Sequence, residues 1–139
     1  MVARLKGDGS QEPLLIMAHT DVVNVDPEKW TFPPFSATVD GGYVYGRGAV
    51  DDKDNLAAGL MVMLELKRQN IPLSRDVIFL AESGEEGATE YGIEFMVNEH
   101  FEKIDAEFCL AEGGSVARVN REVVYGGAVS YTHLRAHET

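Results

Sequence analysis

Short apolar runs alternate with abrupt polar stretches along this chain. Residues 13–18 (PLLIMA), 76–81 (DVIFLA) and 106–111 (AEFCLA) are almost unbroken apolar segments. Runs of that length fit strands buried on both faces, the pattern of a parallel sheet. Residues 54–69 differ, because Leu56, Leu60, Met63 and Leu64 recur at helical spacing and Met61 and Val62 widen the apolar face. Asp54 is placed to cap the start of that helix, and Lys67 and Arg68 suit its C-terminal end. A second helix is expected over 89–101, with Ile93, Val97 and Phe101 on one side. Residues 38–45 read as a hairpin turning at Asp40-Gly41-Gly42. Residues 26–35, with Pro27, Pro33 and Pro34, and the acidic segment 82–87 read as loops, and residues 1–11 as a polar, turn-like start. The order strand, helix, strand, helix, strand implies right-handed crossovers and an α/β fold, a three-layer α/β/α sandwich around a mostly parallel sheet.

Composition narrows the function classes. The 139 residues carry 23 acids against 12 bases, a net charge of −11. A pI near 4.7 argues against a nucleic-acid partner, which needs clustered Lys and Arg. No membrane span is expected, since a spanning helix needs about 18 or more apolar residues and the run at 56–64 is broken by Gly59. Residues 1–11 lack the pattern of a signal peptide. Cys109 stands alone, so neither an internal disulfide nor a cysteine-type zinc site is available, and it reads as a core residue.

Chemistry gathers where the apolar runs stop. His19 and Asp21 follow the first run, Glu85 and Glu86 the second, Glu112 the third, and Asp51 and Asp52 precede the main helix. In an open α/β sheet these positions meet in the crevice beyond the carboxyl ends of the strands. Each has a plain structural reading: a hydrogen-bonded strand-end histidine, acids at a helix N-terminus, solvated loop glutamates. Together, one histidine among several carboxylates suits a hard or borderline divalent metal, zinc above all. Adjacent glutamates also allow one to hold a metal while the other acts as a base.

The strings MAHTDVV, YGRGAVDDKD, SGEEG and LAEGG, in that order, resemble the M20 family of di-zinc metallopeptidases and amidohydrolases over residues 13–122. The segment WTFPPF and the Glu-Gly-Gly end look more like its Gly-X carboxypeptidase and N-acyl-amino-acid hydrolase branch than its desuccinylase branch. The resemblance implies two zinc ions, with cobalt or manganese as alternatives, and hydrolysis of a peptide or N-acyl amino acid. It implies that His19 binds one metal with Asp21 orienting it, that Asp51 bridges both metals, that Glu112 completes the first site, that Glu86 serves the second and that Glu85 is the general base. It also implies a cis peptide after Asp51. Residues 1–128 would be the N-terminal part of a longer catalytic domain, inactive alone, with the second metal site incomplete and the full-length protein a homodimer. Residues 129–139 do not continue the family pattern and resemble translated read-through. His133 and His137 lie there four apart, but no Glu follows His133 to make a HExxH motif, so neither is taken as a ligand. Two other readings stay open: a metal- or peptide-binding module without turnover, and a di-zinc aminopeptidase of another family.

Overall fold

The computed structural model describes residues 1–112 in full, together with the backbone of two further strands, β7 (Ser115–Val119) and β8 (Glu122–Gly126), which pair antiparallel. The expectations for residues 129–139, including His133 and His137, lie outside the described residues. Before that hairpin run β1 (Val2–Leu5), β2 (Leu14–His19), β3 (Thr38–Asp40), β4 (Tyr43–Tyr45), α1 (Lys53–Arg68), β5 (Val77–Glu82), α2 (Ile93–His100) and β6 (Phe108–Leu110).

A four-stranded sheet in the order β1-β5-β2-β6 forms the middle layer. β2 pairs parallel with both β5 and β6, as the unbroken apolar runs predict. Side-chain alternation along β5 divides the core in two. Ile78 and Leu80 join Leu15, Ile104, Ala106 and Cys109, and Ile93 and Met96 of α2 pack there. Val77 and Phe79 join Met63 on the other face, with Leu56 and Leu66 of α1. The expected layering is present, with a mixed sheet that is mostly parallel.

Several expectations need correction. The polar start contains a strand, β1, antiparallel to β5 at the sheet edge. Only four residues long and carrying Arg4, it shows no apolar run, although Val2 packs on one core cluster and Ala3 and Leu5 on the other. The buried stripe of α1 is Leu56, Gly59, Met63 and Leu66, whereas Leu60 and Leu64 are 41% and 37% exposed. That helix is apolar on nearly every side, so periodicity could not choose a face. Gly59 does, because a Cβ there would stand 3.0 Å from both Ile16 and Phe79, and its absence lets the helix close on the sheet. Asp54 lies in the first turn, and Asp52 occupies the N-cap position. The second helix is shorter than expected, flanked by 3-10 turns at Thr89–Tyr91 and Phe101–Lys103, with Met96 inward and Val97 exposed. The hairpin is as expected, with Gly41 and Gly42 both at positive φ, the type I′ geometry that matches strand twist. α1 ends in a Schellman motif: Asn70 takes φ 50°, and the Ile71 N–H donates to the Leu66 carbonyl at 3.1 Å.

Asp76 ties the edge strand down. Its carboxylate accepts from Lys6 Nζ at 2.8 Å, from the Gly7 N–H at 2.9 Å and from Arg4 at 3.0 Å. Lys6 foremost, then the Gly7 amide, outweigh burial and hold the carboxyl at about 2, below its ordinary 3.8. A depressed acid stabilises the fold above its unfolded value, and that contribution disappears as pH falls from about 4 through 2. Asp76→Asn should therefore cost about 1–2 kcal/mol at pH 7, discounted because Lys6 is largely exposed. Urea unfolding should show the gap between variant and parent closing by pH 2; an equal gap at both pH values would contradict this account.

Candidate metal centre

The parallel strands β2, β5 and β6 run towards the same edge of the sheet, and each delivers an acid or imidazole there, at its last residue in β2 and β5 and two residues beyond it in β6. His19 is the last residue of β2 and is almost wholly buried. Its Nδ1 faces the Asp21 backbone carbonyl at 2.9 Å. Its Nε2 faces Asp51 Oδ1 at 2.9 Å and Glu112 Oε2 at 3.6 Å, with Glu85 Oε2 at 4.0 Å. A carbonyl and a carboxylate can only accept, so both ring nitrogens must present positive or donor character. In the metal-free chain that means an imidazolium. Burial pushes the His19 pKa down, but the Asp51 hydrogen bond, the Asp21 carbonyl and the charges of Glu112 and Asp52 outweigh it, raising it above its ordinary 6.5.

The proton on Nε2 thus occupies the position a cation could take. Ligand atoms of His19, Asp51 and Glu112 lie within 4.8 Å of one another, as do those of His19, Glu85 and Glu86. Zinc bonds of about 2.0–2.2 Å to nitrogen and oxygen can span such a group after small side-chain adjustments. Among the described residues, none of Asp51, Asp52, Glu82, Glu85, Glu86 and Glu112 pairs with Lys or Arg, so no side chain of fixed positive charge neutralises the cluster. The residues present fit a divalent cation. Glu86 shares its three-residue group with His19 and Glu85, not with Asp51.

The surrounding residues hold this arrangement. Asp52 is fully buried and accepts the His19 backbone N–H at 3.1 Å and the Asn55 amide at 2.6 Å, joining the start of α1 to the end of β2. The Asp51–Asp52 peptide is cis, as the family resemblance implies. Lys53, beside it, donates to the Thr20 carbonyl at 2.7 Å. Arg47 lies over the Trp30 ring, and Phe32 meets Tyr45 at a tilt of 46°, so these aromatics pack the loop on the hairpin. The Cys109 thiol is buried and pushed up to about 11, chiefly by burial, as suits a core residue. Burial foremost, then the Asp52 charge, raises Glu112 above its ordinary range.

Glu82 escaped the sequence reading, which placed it in the loop. It is the last residue of β5, in register with His19, and only 7% exposed. Its Oε2 is buried without a hydrogen-bond partner among the described residues. The signal was available as strand parity: Leu15, Met17 and His19 share one face of the sheet with Ile78, Leu80 and Glu82. Burial, then the Glu85 charge, pushes Glu82 from its ordinary 4.5 up to about 7. A raised acid keeps its proton in the folded state while the unfolded chain has lost it, so metal-free stability falls as pH rises from about 4.5 to 7. Glu82→Gln should remove that loss. In chelator-treated protein the variant should match its parent near pH 4.5 and exceed it at pH 7.5 by up to about 3 kcal/mol. A difference that does not change with pH would contradict the assignment.

Sequence and fold relate the chain to known proteins. The sequence model of Peptidase family M20/M25/M40 matches residues 15–135. Succinyl-diaminopimelate desuccinylase of Coxiella burnetii is 39% identical over 105 residues, 73% of this chain and 28% of that protein. The desuccinylase of Delftia acidovorans is 37% identical over 130 residues, 89% of this chain and 33% of that protein. The chain therefore spans about a third or less of the length of these relatives. Among solved structures, an M20 family metallo-carboxypeptidase of Sulfolobus solfataricus superposes with a TM-score of 0.70 at 32% identity, covering 81% of this chain and 26% of that one. Human carnosine dipeptidase 1 superposes with a TM-score of 0.66 at 21% identity, covering 84% of this chain and 26% of that one, a likeness of fold.

Proposed function

This chain belongs to Peptidase family M20/M25/M40, and we propose from that premise that it is the metal-binding part of a hydrolase that cleaves a peptide or N-acyl amide bond. The observation that carries the reading is the meeting of His19 Nε2 with the carboxylates of Asp51 and Glu112 at the ends of parallel strands. The relatives that support it are a metallo-carboxypeptidase and desuccinylases, so the substrate class spans peptides and N-acyl amino acids.

In this reading His19, Asp51 and Glu112 would hold one divalent cation, zinc by the donor set, and Asp51 and Glu86 would contribute to a second. Bound cations of this kind activate water near neutral pH and polarise the carbonyl under attack. The chain's own residues do the rest. The Asp21 carbonyl accepts the His19 Nδ1–H, which keeps Nε2 facing Asp51 and Glu112, where its lone pair would meet a cation in place of the proton. Glu85, whose Oε2 lies 4.0 Å from His19 Nε2, takes a proton from the attacking water and returns it to the leaving nitrogen. Half-exposed Asp51 and Glu85 leave the cluster open to an approaching substrate.

Two variants separate binding from chemistry. Equilibrium dialysis should show zinc bound by the parent and weakened at least about 100-fold in His19→Ala, which removes a direct ligand. In any longer protein that carries this chain, Glu85→Gln should retain zinc and lose about 10²–10⁴ in kcat on N-acyl amino acids or dipeptides, the share of a general base. Zinc binding without turnover in the active-length parent would favour the binding-module reading, and unchanged kcat in Glu85→Gln would remove Glu85 from the role.

A further inference from the structure

The carboxylate of Asp21 makes its shortest contacts away from the His19 ring. Its nearer oxygen stands 3.6 Å from His19 Nδ1, and the ring proton goes instead to the Asp21 backbone carbonyl at 2.9 Å. The side chain is engaged elsewhere. Oδ2 accepts the Glu86 N–H at 3.0 Å, and Oδ1 accepts the Glu85 N–H, more weakly, at 3.3 Å. These amides are consecutive and follow Gly84, which takes φ 82°. Successive N–H groups in such a turn form a concave seat for an anion. The turn requires glycine, because a Cβ at Gly84 would stand 2.3 Å from the Ala88 carbonyl oxygen. Burial pushes the Asp21 carboxyl up, but the amides of Glu86, Asp21 itself, Glu85 and Gly84 outweigh it and hold it below the ordinary range.

We infer that the Asp21 carboxylate is a clasp that fixes the Glu85–Glu86 loop to the end of β2. One residue then sets both halves of the centre, His19 through its main chain and the two glutamates through its side chain. The need for a clasp is electrostatic. Glu85 and Glu86 are adjacent acids gathered at His19, whose Nε2 also faces Asp51 and Glu112, and like charges converging on one imidazole push the loop outward. Backbone dipoles pointed at Asp21 turn a third carboxylate from a further repulsion into an anchor. Asp21 is thus a positioning residue. The clasp rests on geometry alone, and only its consequence for turnover rests on the hydrolase reading.

Amide hydrogen exchange by NMR, on the metal-free parent and on Asp21→Asn, tests the clasp. An asparagine offers one acceptor oxygen and turns an N–H₂ group towards the second amide. Exchange at Glu85 and Glu86 should quicken about tenfold or more, as loss of a charge-assisted hydrogen bond implies. The amides of Ile78 and Leu80 in β5 should keep their protection, which excludes global destabilisation, and the His19 Nδ1–H resonance should persist. Equal protection of Glu85 and Glu86 in both proteins overturns the clasp. So does loss of the His19 Nδ1–H resonance with those two amides unchanged, which would return the carboxylate to orienting the ring. Should Asp21→Asn fail to fold, the parent decides: protected Glu85 and Glu86 amides support the clasp, and exchange at the unfolded-chain rate overturns it. A longer protein carrying this chain that shows the clasp but hydrolyses neither dipeptides nor N-acyl amino acids would sink the proposed function and leave the clasp standing.

Discussion

A buried imidazole with an oxygen acceptor on each ring nitrogen is the constraint on which the centre depends. His19 sits at the last position of a central strand, enclosed, with a carbonyl on one side and a carboxylate on the other. Neither neighbour can donate, so the ring must carry two positive-going contacts, and a neutral imidazole satisfies only one. The backbone leaves it little freedom. Its own N–H is taken by buried Asp52, and the next residue, Thr20, donates from both main chain and hydroxyl to the Glu82 carbonyl. The strand end is thereby pinned from α1 on one side and from β5 on the other. What remains variable is the occupant of the Nε2 position, a proton or a metal ion.

The acids around that position make sense on the same terms. Carboxylates drawn together without a partner raise one another's pKa and weaken the fold. The cluster includes one carboxylate, Glu82, that is buried with an unpaired oxygen, and another, Glu112, held above its ordinary range. Elsewhere the chain handles acids conventionally: Asp76 is surrounded by donors, and Glu65 pairs with Arg68 and Gln69 along the surface of α1. Such a contrast, with unpaired acids concentrated at strand ends, is how a functional centre differs physically from a merely charged surface. A divalent cation would supply the charge that the described side chains do not.

Much of this was legible in the sequence. Apolar runs stopping at His19 and before Glu112 gave the parallel strands, and ligand-type residues just beyond them gave the convergence. The misses have identifiable causes. β1 is too short, and too interrupted by Arg4, to show a pattern; its place depends on Asp76, more than seventy residues away. The face of α1 was misjudged because its sequence is apolar nearly all round, and a glycine, not a bulky residue, marks the contact. Glu82 was hidden by its company, since a glutamate before Ser83-Gly84 reads as the first loop residue until strand parity places it beside His19. The hydrogen bonds of Asp21 were invisible for a different reason: spacing reveals which residues are neighbours, but not whether main chain or side chain makes the bond.

The central claim is that the Nε2 position of His19 exchanges a proton for a metal ion while Nδ1 keeps its hydrogen bond. Nitrogen-15 NMR of the His19 ring, recorded below neutral pH with and without zinc, tests it directly. Without zinc both ring nitrogens should carry protons. With zinc the Nε2 proton should disappear and the Nδ1–H should remain. A ring left unchanged by zinc, or one that loses its Nδ1 proton instead, would contradict the account.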